Sequence, residues 1–241
     1  MSRAPLVIAH RGASAERPEN TPSAYALAVE QRADMIEIDL HRTRDGEIVI
    51  THDAELEALG GRGEISKASL AEVRALDAGD GQRVPTLAEV LDGYGARIAF
   101  NLEIKRANGA LYEGLEAQAL EAVRARGLLP RTLFSSFYDP VLERLRGLAE
   151  DARIGLLISR RFPHECVARA RALGAQALHP EAEVATPELI EAAHEAGLAV
   201  YVFTVDDPDA MRRFLELGVD GLFTNYPARL RALLGPCDAP V

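Results

Sequence analysis

Residues 175–224 read AQALHPEAEVATPELIEAAHEAGLAVYVFTVDDPDAMRRFLELGVDGLFT. An apolar run, Ala175–His179, leads to Thr186-Pro187 and a helical segment that stops at Gly197. A second run, Ala199–Val205, leads to Asp207-Pro208 and a segment that stops at Gly218, before a third run at Gly221–Thr224. Short apolar runs of this kind fit strands buried on both faces, as in a parallel sheet. A capping Thr or Asp followed by Pro opens a helix, because the first turn leaves that N–H unpaired anyway. Glycine closes one, because the left-handed exit costs it no side-chain clash. The stretch therefore reads strand, helix, strand, helix, strand.

The same signals extend outward. Thr21-Pro22 and Asp139-Pro140 predict helix starts, and Gly127 and Gly174 predict stops. Further strands are expected at Leu6–Ala9, Met35–Leu40, Ile98–Ile104, Thr132–Ser136 and Ile154–Ile158, which makes eight. Apolar residues at helical spacing mark Leu111–Arg126 and Pro187–Ala196. After the second strand the alternation breaks. Asp45-Gly46 is a turn pair, Ile48–Thr51 an additional extended piece, and Ser69–Glu72 and Thr86–Glu89 each fit a capping box. Eight βα units predict one (β/α)8 TIM-barrel domain over residues 1–241, with an insertion after strand two at about 53–97. An open doubly wound sheet would call for a glycine-rich phosphate loop, and neither GxGxxG nor GxxxxGK[ST] occurs.

Composition narrows the function. The 241 residues are 48% apolar, which excludes disorder, and 27 basic against 37 acidic residues give a net charge of −10. That balance argues against nucleic acid and anionic membranes as partners, so any phosphate must be met locally. The only apolar run near the N-terminus is Leu6–Ala9, too short for a signal core, and no stretch approaches the roughly 18 apolar residues of a membrane span. The expectation is a cytoplasmic protein without stable membrane association. Cys166 and Cys237 lie far apart with no CxxC, so neither a disulfide framework nor structural zinc is indicated.

In such a barrel the chemistry collects where the strands end. Strand one ends in His10-Arg11-Gly12, strand two carries Glu37 and Asp39, the extra strand runs into His52-Asp53, and strand three carries Glu103 and Lys105. Later strands end near Ser135-Ser136, His179, Thr204 and Asp206, and Thr224-Asn225. Glu37/Asp39 and Glu103/Lys105 are i, i+2 pairs, so within each pair both side chains point to the same side. Three clustered carboxylates repel unless a cation joins them, and an all-oxygen site suits Mg²⁺, Ca²⁺ or Mn²⁺. Solvation of strand ends is the competing reading. The apolar flanks Met35, Ile36, Ile38 and Leu40 weigh against it. His10 and His52 end different elements and can act as a general acid/base pair. Lys105 is one of only two lysines beside 25 arginines, and with Arg11 it could neutralise a phosphate. An ion pair with Glu103 or Glu37 is its alternative role. His164 and His194 read as surface helical residues, and His41 as following strand two.

Taken together, His10-Arg11-Gly12, Pro18-Glu19-Asn20-Thr21, Glu37-Ile-Asp39, Thr43-Arg-Asp45-Gly46, His52-Asp53, Pro85-Thr86-Leu87 and Glu103-Ile-Lys105 resemble the glycerophosphodiester phosphodiesterase family in order and spacing. The likeness continues through Ser136-Phe137, Thr186-Pro187-Glu188, Phe203-Thr204-Val205 and Asp220–Pro227. It implies a TIM barrel that hydrolyses a small-molecule glycerophosphodiester to glycerol 3-phosphate and an alcohol. It also implies Glu37, Asp39 and Glu103 as ligands of Mg²⁺ or Ca²⁺, His10 and His52 as the acid/base pair, and Arg11 and Lys105 as phosphate binders. In the mechanism the resemblance implies, a glycerol hydroxyl attacks phosphorus and water then opens a cyclic phosphate. Phe203 stands where the family commonly has Trp, and residues 56–63 lack its Arg-Thr-Thr run, so the alcohol stays open. Glu19, Asn20 and His179 receive no role beyond capping or bracing by Asn20. A lysophospholipase D is the runner-up, opposed by the polar insertion at 53–80. A non-catalytic phosphate-binding barrel is opposed by the presence of all five metal and histidine positions.

Overall fold

The computed structural model describes residues 4–161 and 164–235. In chain order the elements are β1 (Leu6–His10), α1 (Pro22–Glu30), β2 (Met35–Arg42), β3 (Ile48–Ile50), α2 (Leu70–Arg74), α3 (Leu87–Tyr94) and β4 (Ala99–Ile104). Then come β5 (Arg106–Ala107), β6 (Ala110–Leu111), α4 (Leu115–Arg124), β7 (Thr132–Ser136), α5 (Asp139–Leu148), β8 (Arg153–Ile158) and α6 (Cys166–Ala172). The chain ends with β9 (Ala177–Pro180), α7 (Pro187–Glu195), β10 (Ala199–Val202), α8 (Pro208–Glu216), β11 (Gly221–Thr224) and α9 (Pro227–Leu234).

Eight parallel strands, β1, β2, β4, β7, β8, β9, β10 and β11, pair in that order and close through Leu6↔Gly221 and Ile8↔Met35. The expected TIM barrel is therefore the fold. Alternation along the strands explains the unbroken apolar runs. Ile8, Met35, Leu133, Tyr201 and Phe223 fill the interior, while Val7, Ile36, Leu102 and Phe134 belong to the larger core that includes the helices.

The helix signals act locally as expected. Thr21, Thr186 and Asp207 accept N–H groups of the first turns of α1, α7 and α8, and both capping boxes form. Gly127, Gly174, Gly197 and Gly218 all take left-handed φ. Asp139 departs from expectation: Tyr138 is the cap, and the Asp139 carboxylate instead grips Arg169 of α6 in two bonds of 3.0 and 2.6 Å. The helix expected from Leu111 begins at Leu115. The turn pair Asn108-Gly109 folds Ala110–Leu111 back onto Arg106–Ala107 as a two-residue hairpin.

β3 runs antiparallel beside the end of β2, with Leu40↔Ile50 in register. Beyond it, Val49, Leu56, Ile65, Val73 and Val84 form a small separate cluster, while Leu87, Val90 and Leu91 of α3 join the main core.

Candidate active site

A cavity of about 320 Å³ opens at the C-terminal ends of the strands, and His10, Arg11, Glu37, His52, Glu103 and Lys105 line one side of it. Asp39 is buried against them. The barrel thus brings all seven sequence-predicted residues together. Asp39 and Glu103 are direct neighbours across β2 and β4, and Glu37 shares their face two residues back. One carboxylate oxygen from each of the three lies within 4.8 Å of the others.

Among the described residues, Arg11 and Lys105 are the cations paired with these acids. Lys105 Nζ stands 3.0 Å from Glu103 and 3.3 Å from Asp39, and Arg11 Nε lies 3.3 Å from Asp39. The alternative ion pair of Lys105 with Glu103 thus exists, with Asp39 rather than Glu37 as its second partner. Burial pushes the Glu37 carboxyl well above its usual range, and repulsion from Asp39 and Glu103 adds to this. Burial also raises Glu103. At Asp39 burial acts in the same direction, but Lys105 and Arg11 outweigh it and hold its carboxyl low. Glu37 Oε1 is buried without a hydrogen-bond partner among the described residues. An oxygen-only donor set with one orphaned carboxylate oxygen fits a divalent cation.

The turn after β1 is tightly built. Arg11 adopts φ 57° and Gly12 φ 88°, and a Cβ on Gly12 would sit 2.7 Å from Ala24 Cβ. This turn lets the Arg11 N–H donate to Glu37 Oε2 at 3.0 Å. The Arg11 guanidinium is steadied by Glu19, at 2.9 and 3.1 Å from the two carboxylate oxygens.

The tautomer of each histidine follows from its partners. Asn225 Nδ2 donates to Asp206 Oδ2 at 2.6 Å, so its Oδ1 faces His10 Nδ1 at 2.8 Å and must accept. His10 therefore carries its proton on Nδ1 and presents Nε2 as a lone pair. Burial and the neighbouring Arg11 lower it to a pKa of about 4. His52 Nδ1 lies 2.8 Å from Asp53 Oδ1, which can only accept, so Nε2 is the nitrogen left for chemistry.

Sequence reading missed the residues that hold these groups. Asn20 Nδ2 donates to Asp39 Oδ2 at 2.9 Å, and Asn20 Oδ1 accepts from Tyr25 at 3.2 Å. His41 lies inside β2 rather than after it; its Nε2 donates to the His52 carbonyl at 3.2 Å and its Nδ1 accepts from Tyr112 at 2.9 Å. The only available signal was the presence of Glu19, Asn20 and Asn225 in the motifs. His164 is exposed in the turn before α6, and exposed His194 pairs with Asp220. Cys166 is buried, and Cys237 lies outside the described residues.

His179 ends a strand but does not line the cavity. It is fully buried between Tyr201 and Phe223, and burial lowers its pKa to about 3. A histidine that stays neutral when folded leaves the unfolded state the better proton binder below about pH 6.5, so its contribution to stability is lost as pH falls from there. Replacing His179 with Leu is expected to remove on the order of 3 kcal/mol of the stability loss between pH 6.5 and 4. Denaturant unfolding at both pH values measures this, and an unchanged pH dependence would refute it.

The model of the glycerophosphoryl diester phosphodiesterase family matches residues 10–229. A glycerophosphodiester phosphodiesterase of Caldanaerobacter subterraneus subsp. tengcongensis is 36% identical, covering 93% of this chain and 96% of its own. One of Bacillus subtilis is 30% identical, covering 92% and 84%. The solved structure of an Oleispira antarctica phosphodiesterase, in complex with the product sn-glycerol-3-phosphate, superposes with a TM-score of 0.82 at 31% identity, covering 95% and 96%. No helix among the described residues is long and apolar enough to cross a membrane. From the barrel, the clustered acids and these full-length likenesses, the chain belongs to the glycerophosphoryl diester phosphodiesterase family of phosphoric diester hydrolases.

Proposed function

We propose that this chain hydrolyses small-molecule glycerophosphodiesters to glycerol 3-phosphate and an alcohol with the aid of a divalent cation. The observation that carries this reading is the meeting of three carboxylates, two histidines, Arg11 and Lys105 at one barrel mouth. Glu37, Asp39 and Glu103 would hold Mg²⁺ or Ca²⁺, with Mn²⁺ in the same chemical class. Such an ion, when bound, withdraws charge from phosphate oxygens.

The protein's own groups do the rest. Arg11 and Lys105 meet the phosphate oxygens; Arg11 keeps N–H donors beyond those it gives to Glu19. His10, neutral at pH 7, takes the proton of the attacking glycerol hydroxyl on Nε2. His52 gives a proton from Nε2 to the departing alcohol oxygen, so the P–O bond to the alcohol breaks as the ring closes. Water then opens the cyclic phosphate with the two histidines in reversed roles.

A panel of glycerophosphodiesters with Mg²⁺, Ca²⁺ or Mn²⁺ tests the reading. Release of glycerol 3-phosphate that requires the cation is expected. No turnover of any diester with any of the three ions overturns it.

A further inference from the structure

Behind the wall that carries His52 and Lys105 lies a second cavity of about 180 Å³. It lies between the start of the insertion and the β5–β6 hairpin, clasped where Asn108 Nδ2 donates to Glu55 Oε1 at 2.7 Å. The two cavities share His52, Glu103, Lys105 and Phe137. His10 lines only the larger one, and Arg106 only the smaller.

A phosphodiester has two arms diverging from one phosphorus, and this site has two chambers diverging from one reactive wall. If His10 takes the proton of the glycerol hydroxyl, the glycerol arm occupies the chamber that His10 lines. The other arm then passes His52, its proton donor, into the smaller chamber. Resting on the phosphodiesterase reading above, we infer that the smaller chamber is the leaving-alcohol subsite and that Arg106 makes it select an alcohol bearing a carboxylate.

The chemistry of the two chambers differs accordingly. The larger one is also lined by Glu181, which accepts from the Arg160 N–H at 3.0 Å, and by Glu183, carboxylates that disfavour a further anionic group there. In the smaller one the Arg106 guanidinium lies over the Tyr138 ring, 5.2 Å from its centroid, and its forked N–H donors suit a carboxylate. The two acids that line this chamber are both engaged, Asp53 by His52 Nδ1 at 2.8 Å and Glu103 by Lys105 Nζ at 3.0 Å.

Glycerophosphoserine and glycerophosphoethanolamine differ by a single carboxylate, and so isolate this contact. Wild-type protein with saturating divalent cation is expected to favour the serine diester in kcat/KM by about tenfold, the scale of one charge-assisted contact. Arg106→Gln should abolish the preference while leaving kcat/KM for the ethanolamine diester within about twofold. Equal wild-type values, or an Arg106→Gln variant that lowers both substrates alike or leaves the preference intact, would overturn the subsite. Absence of turnover with both diesters, and with the wider panel, would overturn the phosphodiesterase reading itself, and the subsite with it.

Discussion

The His10→Ala variant is expected to lose about 10³-fold in kcat on a glycerophosphodiester, the middle of the range for a positioned general base. The reason lies in the chain Asp206, Asn225, His10. Asp206 fixes which way the Asn225 amide faces, and the amide fixes the imidazole proton on Nδ1. Nε2 is thereby a lone pair aimed for one task. Because burial and Arg11 depress His10 to about 4, it is already deprotonated throughout the neutral range, and its own titration imposes no acid limb on activity above about pH 5. A group whose main work is moving a proton in the transition state should affect kcat more than KM. Steady-state kinetics with circular dichroism of both proteins decide the matter. A kcat within tenfold of wild type, in a folded variant, would remove His10 from the chemistry.

The Glu37→Gln variant should show two effects of opposite sign. Activity is expected to fall at least about 100-fold, because on the proposed function one of three anionic donors to the cation is gone. The metal-free protein, in contrast, should be as stable as wild type or more so. Glu37 is buried beside two other acids with one oxygen unpartnered among the described residues, and its carboxyl is pushed well above the usual range. A raised carboxyl means the folded state binds more protons than the unfolded one, so stability is greatest below the ordinary pKa of 4.5 and is lost as pH rises toward the folded value. Gln mimics the protonated form and removes this loss. Divalent cation reverses the order. A cation at a hundred times its Kd would stabilise the wild type by about 2.7 kcal/mol, and should leave the variant nearly unmoved. Melting curves with EDTA and with excess Mg²⁺ or Ca²⁺ read both effects. A variant less stable than wild type in EDTA would show that Glu37 is held as a structural ion, not as a waiting ligand.

Much of this molecule is written locally. Each strand run, each Thr-Pro or Asp-Pro start and each stop glycine acts within a few residues, and backbone hydrogen bonding at a helix end asks for nothing further away. The i, i+2 spacing of Glu37 with Asp39 and of Glu103 with Lys105 likewise sets which face they share before any tertiary contact forms. Local signals also misled where a distant partner competed. Asp139 gave up its expected cap for Arg169, 30 residues on, and Asn108-Gly109 turned back a segment whose apolar spacing looks helical.

Sequence alone therefore determined the eight βα units, and the seven side chains that the barrel gathers at its mouth. Only the closed barrel decided how those side chains are held. His10 meets Asn225 across 215 residues, and His41 meets Tyr112 across 71. Asn20 reaches Asp39 only because the left-handed turn after β1 folds the chain back over β2. Such contacts have no periodicity to betray them, because they depend on which strand ends and loops become neighbours in the folded barrel, and for His10 on the first strand pairing with the last. That closure fixes the protonated nitrogen of His10.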